Sequence, residues 1–136
     1  MSDELKKEVY EVLSQHPIGV VATVNEREEP ESAIVGITSN ANLELLFGTS
    51  HKTRKFANLQ RKSKIAVTVG DFKSEVQYEG DAKQVEIADA IKVFGSTPGI
   101  ERYKSDPDQT WWHITPNWVR LTVHGQPDRV EEARLT

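Results

Sequence analysis

The chain has 136 residues, a formal net charge of -4, a hydrophobic share of 37% and no cysteine. This length fits one domain over residues 1–136, and the lack of cysteine excludes disulfides, thiolate metal sites and a cysteine nucleophile. No apolar run approaches the roughly 20 residues of a membrane span, and the charged N-terminus lacks the apolar core of a signal peptide. We therefore expect a cytoplasmic protein that does not bind membranes.

The N-terminal segment predicts an amphipathic helix over residues 2–15. Its apolar residues recur at helical spacing and form one stripe; they are Leu5, Val9, Val12 and Leu13. Ser2 or Asp3 suits the N-cap position. The helix is expected to end at His16, because the residue before a proline avoids the helical conformation.

Six runs of β-forming residues follow, separated by residues that are typical of turns. They span residues 18–24, 31–38, 43–48, 64–70, 74–86 and 117–125. The short connections among the first three predict an antiparallel meander, and a slip in the apolar alternation of the fifth predicts a bulge near Asp81–Lys83. A short helix is expected over residues 87–94. Six short strands with few helices predict a mainly β protein built as a closed or half-closed barrel.

A basic segment lies between the third and fourth runs. Residues 45–64 carry six Lys and Arg and no acid, although the chain as a whole has 17 basic against 21 acidic residues. A helix whose first turn holds Thr53, Arg54 and Lys55 suits a phosphate, since a helix N-terminus offers free N–H groups and a positive dipole end. Spacing alone leaves open the alternative of a capped helix with a solvated basic face. The acidic remainder disfavours nucleic acid as a partner.

Patterns of other catalytic and metal sites do not occur. The four histidines lack metal-ligand spacing, so no metal site is predicted, and the hydrolase, P-loop and dinucleotide-binding signatures are missing. We interpret the acids of residues 26–31 as a solvated loop, and Arg61, Lys62 and Lys64 as a solvated helix end. Two interpretations remain for Trp111, Trp112 and Trp118. They either cover a barrel end or a dimer interface, or one lies beside a planar ring.

Three segments carry a resemblance to a known family: PESAIVGI, LELLFGTSHKTRKFANLQRKSKIAVTV and EVQYEGDAKQVE. Over residues 18–123 the chain resembles the FMN-binding split-barrel family of pyridoxamine 5'-phosphate oxidase-like proteins, in its general stress protein 26-like branch. The resemblance implies a six-stranded antiparallel split barrel with peripheral helices. It also implies a homodimer with two FMN sites at the interface.

The same resemblance assigns roles to individual residues. The phosphate of FMN would be held by Thr49, Ser50, Thr53, Arg54 and Lys55. The flavin ring would lie against the backbone of Ala33, Ile34, Val35 and Gly36. The pocket of the other subunit would be completed by Glu75, Gln77, Trp112 and Trp118. No catalytic residue is identified.

Three departures from the family pattern bear on activity. Many members have Arg at the position of Ala33, true oxidases have Gln at the position of Glu75, and the Arg-rich C-terminal substrate segment of the vitamin B6 oxidases is missing. An acid near the flavin pyrimidine edge disfavours the anionic reduced flavin. We therefore do not expect pyridoxine phosphate to be the substrate.

The resemblance implies an oxidoreductase that uses bound FMN for electron transfer with an unknown small-molecule partner. One alternative is a non-catalytic flavin carrier or stress-linked redox sensor. Another is a split barrel that binds a deazaflavin or haem.

Overall fold

The computed structural model describes residues 1–135 and contains four helices and eight strands within them. The helices are α1 (Asp3–Gln15), α2 (Arg54–Arg61), α3 (Ile87–Phe94) and α4 (Pro98–Tyr103). The strands are β1 (Ile18–Val24), β2 (Pro30–Gly36), β3 (Thr38–Ser39), β4 (Leu45–Ser50), β5 (Lys64–Gly70), β6 (Ser74–Val85), β7 (Gln109–Val123) and β8 (Arg129–Arg134). None of the four helices combines the length and the apolar character needed to cross a membrane.

The strands form one antiparallel sheet that curls into a split barrel. Their order is β2-β1-β5-β6-β7-β4-β3, and β8 pairs with the free side of β7. The predicted mainly β split barrel is confirmed, but the predicted count of six strands is wrong. β8 was missed because it is a largely exposed edge strand with the charged sequence RVEEAR. β7 begins at Gln109, well before the predicted start at residue 117.

The predicted meander of the first three strands is only half right. β1 and β2 pair over their full length, as expected. β4, however, pairs with β7, and it meets the continuation of β2 only at the two-residue strand β3. The barrel is therefore split between β2 and β4, and helix α2 packs into this opening against β1, β2 and β4.

A bulge interrupts the pairing of β6 with β7. Glu79 pairs with Trp118 whereas Gly80 pairs with Pro116, so Asn117 is the extra residue. The bulge thus lies just before the predicted position of Asp81–Lys83. It changes the phase of β7, because an extra residue moves the following side chains to the other face. Trp118 consequently lies on the outer face of the sheet.

Two apolar clusters hold the elements together. The main core fills the barrel and includes the predicted stripe of α1, which Ser2 caps by accepting a hydrogen bond from the Leu5 N–H at 3.1 Å. Tyr78 is buried at its centre and donates its hydroxyl to the Leu43 carbonyl at 2.7 Å. The second cluster lies outside the barrel, where α3 and α4 cover Leu46 and Trp111. Helix α3 has the predicted bounds.

A substitution at Gly80 tests how tightly β6 and β7 pack at the bulge. A Cβ atom there would overlap the Thr115 carbonyl oxygen and lie 2.9 Å from the Ile114 Cγ2. We expect Gly80→Ala to lower the free energy of unfolding by about 1–3 kcal/mol through overpacking, measured by urea denaturation. Gly99→Ala is the matched control, because its nearest neighbour is 3.9 Å away and it lies in α4. Equal effects in the two variants would contradict the packing argument.

Candidate functional site

The N-terminus of α2 is fixed by hydroxyl groups. Thr53 is the N-cap: its Oγ1 accepts from the Phe56 N–H at 3.4 Å and donates to the Ser50 carbonyl at 2.9 Å. The Thr49 hydroxyl oxygen lies 2.9 Å from that of Thr53, and the Lys52 N–H donates to the Ser50 Oγ at 3.2 Å. These bonds form a tight turn that directs the start of the helix toward the opening of the barrel.

A pocket of about 340 Å³ lies in front of this helix end, between α2 and the facing strands β1 and β2. We call it the α2 pocket. Its lining residues are Val21, Thr23, Glu31, Ser32, Ala33, Lys52, Thr53, Arg54 and Lys55. Val21, Thr23, Glu31 and Ala33 come from the inward-facing positions of the two strands, because side chains alternate between the faces of a sheet.

The α2 pocket carries positive charge that the protein itself does not neutralise. Lys55 is partly buried, and desolvation lowers the pKa of its ammonium group. Within residues 1–135 no carboxylate lies within 4 Å of that ammonium group, and the backbone N–H groups of Arg54 and Lys55 have no acceptor. A partly buried cation beside unpaired N–H donors at a helix N-terminus is an arrangement that suits an anion.

The two other cations of the lining have acidic partners. Lys52 lies 3.1 Å from Asp108, and Arg54 pairs with Glu31, which also lies in the pocket. The Glu31 Oε2 is 3.3 Å from the Arg54 guanidinium, and its Oε1 accepts from the Asn58 Nδ2 at 2.8 Å. The hydrogen bond from Asn58 is the main cause that lowers the pKa of Glu31. The interpretation of Glu31 as part of a solvated loop is therefore wrong. Glu31 is the first residue of the predicted second strand, whose alternate residues face inward. This position could have indicated that its side chain lies in the pocket.

Arg61, Lys62 and Lys64 lie at the C-terminal end of α2 and the start of β5, outside the pocket, and have local partners. Arg61 donates to the Val24 carbonyl at 2.7 Å, Lys62 lies 3.1 Å from Glu28, and Lys64 lies 2.9 Å from Asp81. Arg61, Lys62 and Lys64 are exposed, as predicted. The basic segment thus divides into a pocket-lining part and a surface part.

The structure gathers some of the predicted site residues around the pocket. Ala33, Thr53, Arg54 and Lys55 line it, and Thr49 and Ser50 support it through the turn. The other predicted site residues of β2 do not line the pocket. Ile34 is 75% exposed on the outer face, Val35 is in the core, and Gly36 lies at the other end of β2.

Trp112 does not line the α2 pocket. It is 97% buried in the main core, where its ring packs edge-on against Phe56 at a centroid distance of 5.9 Å, and its N–H donates to the Thr110 hydroxyl at 3.0 Å. It therefore supports α2 from the side of the barrel interior. Its predicted contact with a flavin stays a prediction.

Glu75, Gln77 and Trp118 lie together on the outer face of the sheet. The strand register places Gln77 in one row with three residues of neighbouring strands, namely Ile34, Val20 and Thr68. Ile18, Val20 and Ile34 are 64%, 41% and 75% exposed on β1 and β2. We call the outward-facing residues of β2, β1, β5, β6 and β7 the outer sheet face. The outer sheet face combines exposed apolar side chains with Glu75, Gln77 and Trp118, which are predicted to complete the FMN site of the other subunit.

No group of three metal-binding side chains is found in the described part of the chain. Each histidine lies beside an acid. The pairs are His16–Asp71, His51–Asp108, His113–Glu44 and His124–Asp128. The histidine side chains thus make local contacts and do not converge on a common centre.

The chain is similar to known proteins in sequence and in structure. A family model described as pyridoxamine 5'-phosphate oxidase matches residues 5–123. No curated protein matches. General Stress Protein 26 from Bacillus anthracis str. Sterne superposes with a TM-score of 0.78 at 20% identity, over 97% of this chain and 99% of that one.

Two further solved structures share the fold. A heme binding protein from Mycobacterium smegmatis has a TM-score of 0.81 at 16% identity, over 98% of this chain and 58% of that one. A pyridoxamine 5'-phosphate oxidase-related, FMN binding protein from Nostoc punctiforme PCC 73102 has a TM-score of 0.68 at 12% identity, over 96% of each chain. At these identities the likeness shows the split-barrel fold and leaves the ligand open.

The Glu31 carboxylate, which Asn58 hydrogen-bonds and Arg54 contacts, predicts a pH-dependent contribution to stability. The pKa of Glu31 is lowered from 4.5 in the folded protein, so its ionised form stabilises the fold above its ordinary pKa, and this contribution is lost as the pH falls through the lowered value. We expect Glu31→Gln to lower the melting temperature at pH 7, and the difference from wild type to shrink toward pH 3. Glu26→Gln, in the exposed turn before β2, is the control. A difference that is constant from pH 7 to pH 3 would contradict the assignment.

Proposed function

The chain belongs to the pyridoxamine 5'-phosphate oxidase family, and we propose that it is a flavoprotein that holds the phosphate of FMN in the α2 pocket and acts as an oxidoreductase. The observation that carries the proposal is the charge balance of that pocket. Lys55 lies there without a carboxylate neighbour, next to the N-terminus of α2 and the hydroxyl of Thr53. A phosphate group neutralises such a site and accepts several hydrogen bonds at once.

FMN suits the pocket better than haem does. Haem offers two carboxylates and an iron that commonly takes a histidine or another side chain as axial ligand, whereas, among the residues that the structure describes, no histidine lines the α2 pocket. Family relatives include a protein named for FMN binding, which supports the proposal. A titration with FMN, riboflavin, a deazaflavin and haem compares these ligands directly. Tightest binding of FMN is the expected result, and failure to bind any flavin would overturn the proposal.

Electron transfer is the reaction that a bound flavin supplies, because the cofactor carries the redox chemistry. The residues of the chain would bind the phosphate, orient the ring along β2 and limit its contact with water. The alternative of a flavin carrier or redox sensor differs only in turnover. Oxidation of NAD(P)H by the FMN-loaded protein in the presence of an electron acceptor supports the enzyme, and binding without turnover supports the carrier.

We also propose that the protein is a homodimer that pairs through the outer sheet face. Exposed apolar side chains that form a contiguous patch mark interaction surfaces, and Ile18, Val20 and Ile34 are such residues on two paired strands. Glu75, Gln77 and Trp118 share this face, so they would lie at the proposed interface. This arrangement agrees with the role that the family resemblance gives them.

The phosphate assignment predicts a selective loss of FMN affinity. We expect Arg54→Ala combined with Lys55→Ala to weaken FMN binding by about 2–4 kcal/mol, because two charge-assisted contacts are lost. Riboflavin, which lacks the phosphate, should bind the variant and the wild type alike. Both affinities are measured by flavin fluorescence titration.

The same helix provides a matched control for that experiment. Arg61→Ala combined with Lys62→Ala removes two bases that lie at the far end of α2 and contact Val24 and Glu28. FMN affinity should change little in this variant. If both double variants lose the same affinity, or if riboflavin binding falls as much as FMN binding, the phosphate does not lie in the α2 pocket.

The dimer proposal predicts dissociation by charge at the sheet face. Ile34→Lys combined with Val20→Lys places two like charges in adjacent positions of the outer sheet face, so sedimentation velocity should show a monomer where the wild type shows a dimer. FMN affinity should fall too, because the second subunit completes the site. Val93→Lys on α3, where Val93 is 45% exposed, is the control. A wild type that sediments as a monomer, or a double variant that remains a dimer, would contradict the proposal.

A further inference from the structure

A second and larger cavity lies at the other end of the opening between β2 and β4. Its volume is about 540 Å³, and we call it the seam pocket. The end of α1, the connection from β2 to β3, strand β4, helix α4 and the start of β7 all contribute to its walls. It shares no lining residue with the α2 pocket. Ala33 and Gly36, which line the two pockets, lie three residues apart in β2, a distance of about 10 Å along a strand.

The lining of the seam pocket is free of charge. None of its residues is Asp, Glu, Lys, Arg or His, whereas four of the nine residues around the α2 pocket are charged. Four aromatic residues line it: Tyr10, Phe47, Tyr103 and Trp111. Buried ionic ligands need a charged or strongly hydrogen-bonding counterpart, so this lining favours a neutral molecule.

Polar side chains without an intramolecular hydrogen bond also line the seam pocket. Within residues 1–135 the hydroxyls of Tyr10 and Tyr103 and the side-chain amide of Gln109 make no hydrogen bond to the protein. Small-molecule sites commonly pair an apolar, aromatic lining with a few such groups, which orient the ligand. Here they could bond a carbonyl or hydroxyl group of a bound ring.

Gly48 allows the floor of the seam pocket to form. A Cβ atom at this position would overlap the amide nitrogen of Gln109 and lie 2.9 Å from the ring of Trp111. The glycine of β4 thus lets both side chains pack directly on the strand. Gln109 and Trp111 therefore both line the seam pocket next to Gly48.

We propose that the seam pocket is a second binding site, which takes an uncharged aromatic molecule while FMN occupies the α2 pocket. Binding at the seam pocket rests on its own lining. The further step, that this molecule exchanges electrons with the flavin, rests on the proposed function. The uncharged lining disfavours phosphorylated and carboxylated aromatic compounds at this second site.

The test compares two probes of the same ring system, 2-naphthol and naphthalene-2-sulfonate, by isothermal titration calorimetry at pH 7 on the FMN-saturated protein. We expect 2-naphthol to bind at least tenfold tighter than the sulfonate. Tyr103→Ala should weaken 2-naphthol binding severalfold, because Tyr103 is a 40% exposed ring at the pocket rim. Phe72→Ala, which removes a 97% exposed ring elsewhere, should not change it.

A charge-gain variant makes the test specific. Ser14 lines the seam pocket in the last turn of α1, where a positive side chain is compatible with the helix dipole. Ser14→Lys should therefore raise the affinity for naphthalene-2-sulfonate severalfold, whereas Gln15→Lys, next to it but outside the pocket, should not. Equal affinity of the wild type for the two probes, or the same response in both lysine variants, would overturn the proposal.

Competition separates this proposal from the proposed function. If saturating FMN prevents 2-naphthol binding, the seam pocket is part of the flavin's own site and the proposal of a second site fails. If the protein binds no FMN but shows the expected probe and variant effects by itself, the seam pocket stands and the proposed flavin function fails.

Discussion

The rest of the site depends on the two hydrogen bonds that the buried side-chain amide of Asn58 donates. The amide donates to the Thr23 hydroxyl of β1 at 3.0 Å and to the Glu31 carboxylate of β2 at 2.8 Å. A buried amide that loses its acceptors carries a desolvation penalty of roughly 1–3 kcal/mol, so the helix is held where both acceptors can be reached. The N-cap at Thr53 and the position of Lys55 follow from that placement of α2.

The barrel supplies the space in which this contact can form. Because β4 pairs with β7 and leaves β2 without a second neighbour over most of its length, an opening remains that α2 covers. Phe56 packs against the buried Trp112 on the inner side, and the polar residues of α2 face β1 and β2. Apolar packing thus determines how deeply α2 lies in the opening, and hydrogen bonds determine the direction of the helix axis.

The sequence predicts those features that depend on local pattern. The α1 helix, the strands β1 and β5 and the Thr-Arg-Lys cluster follow from periodicity and capping residues, and their predicted bounds agree with the structure. The pairing of β4 with β7 could not be predicted, since the alternation of a strand is the same whichever neighbour it pairs with. The roles of Asn58 and Glu31 were missed for a similar reason. Their contact joins residues 27 positions apart, and no local signal marks it.

The ion pair between Arg54 and Glu31 determines which anions the α2 pocket can favour. The Arg54 guanidinium already lies 3.3 Å from the Glu31 carboxylate. A bound anion is therefore attracted by Lys55, which has no carboxylate neighbour, but it can pair with Arg54 only by replacing Glu31. A singly charged carboxylate ligand would replace one carboxylate with another at Arg54 and gain little from the exchange. A phosphate monoester carries nearly two charges and three acceptor oxygens, so it can bind Lys55 and the helix N–H groups while it draws Arg54 away from Glu31. Glu31 thus lowers the net positive charge of the α2 pocket, and the attraction for an anion depends mainly on Lys55 and the N-terminus of α2.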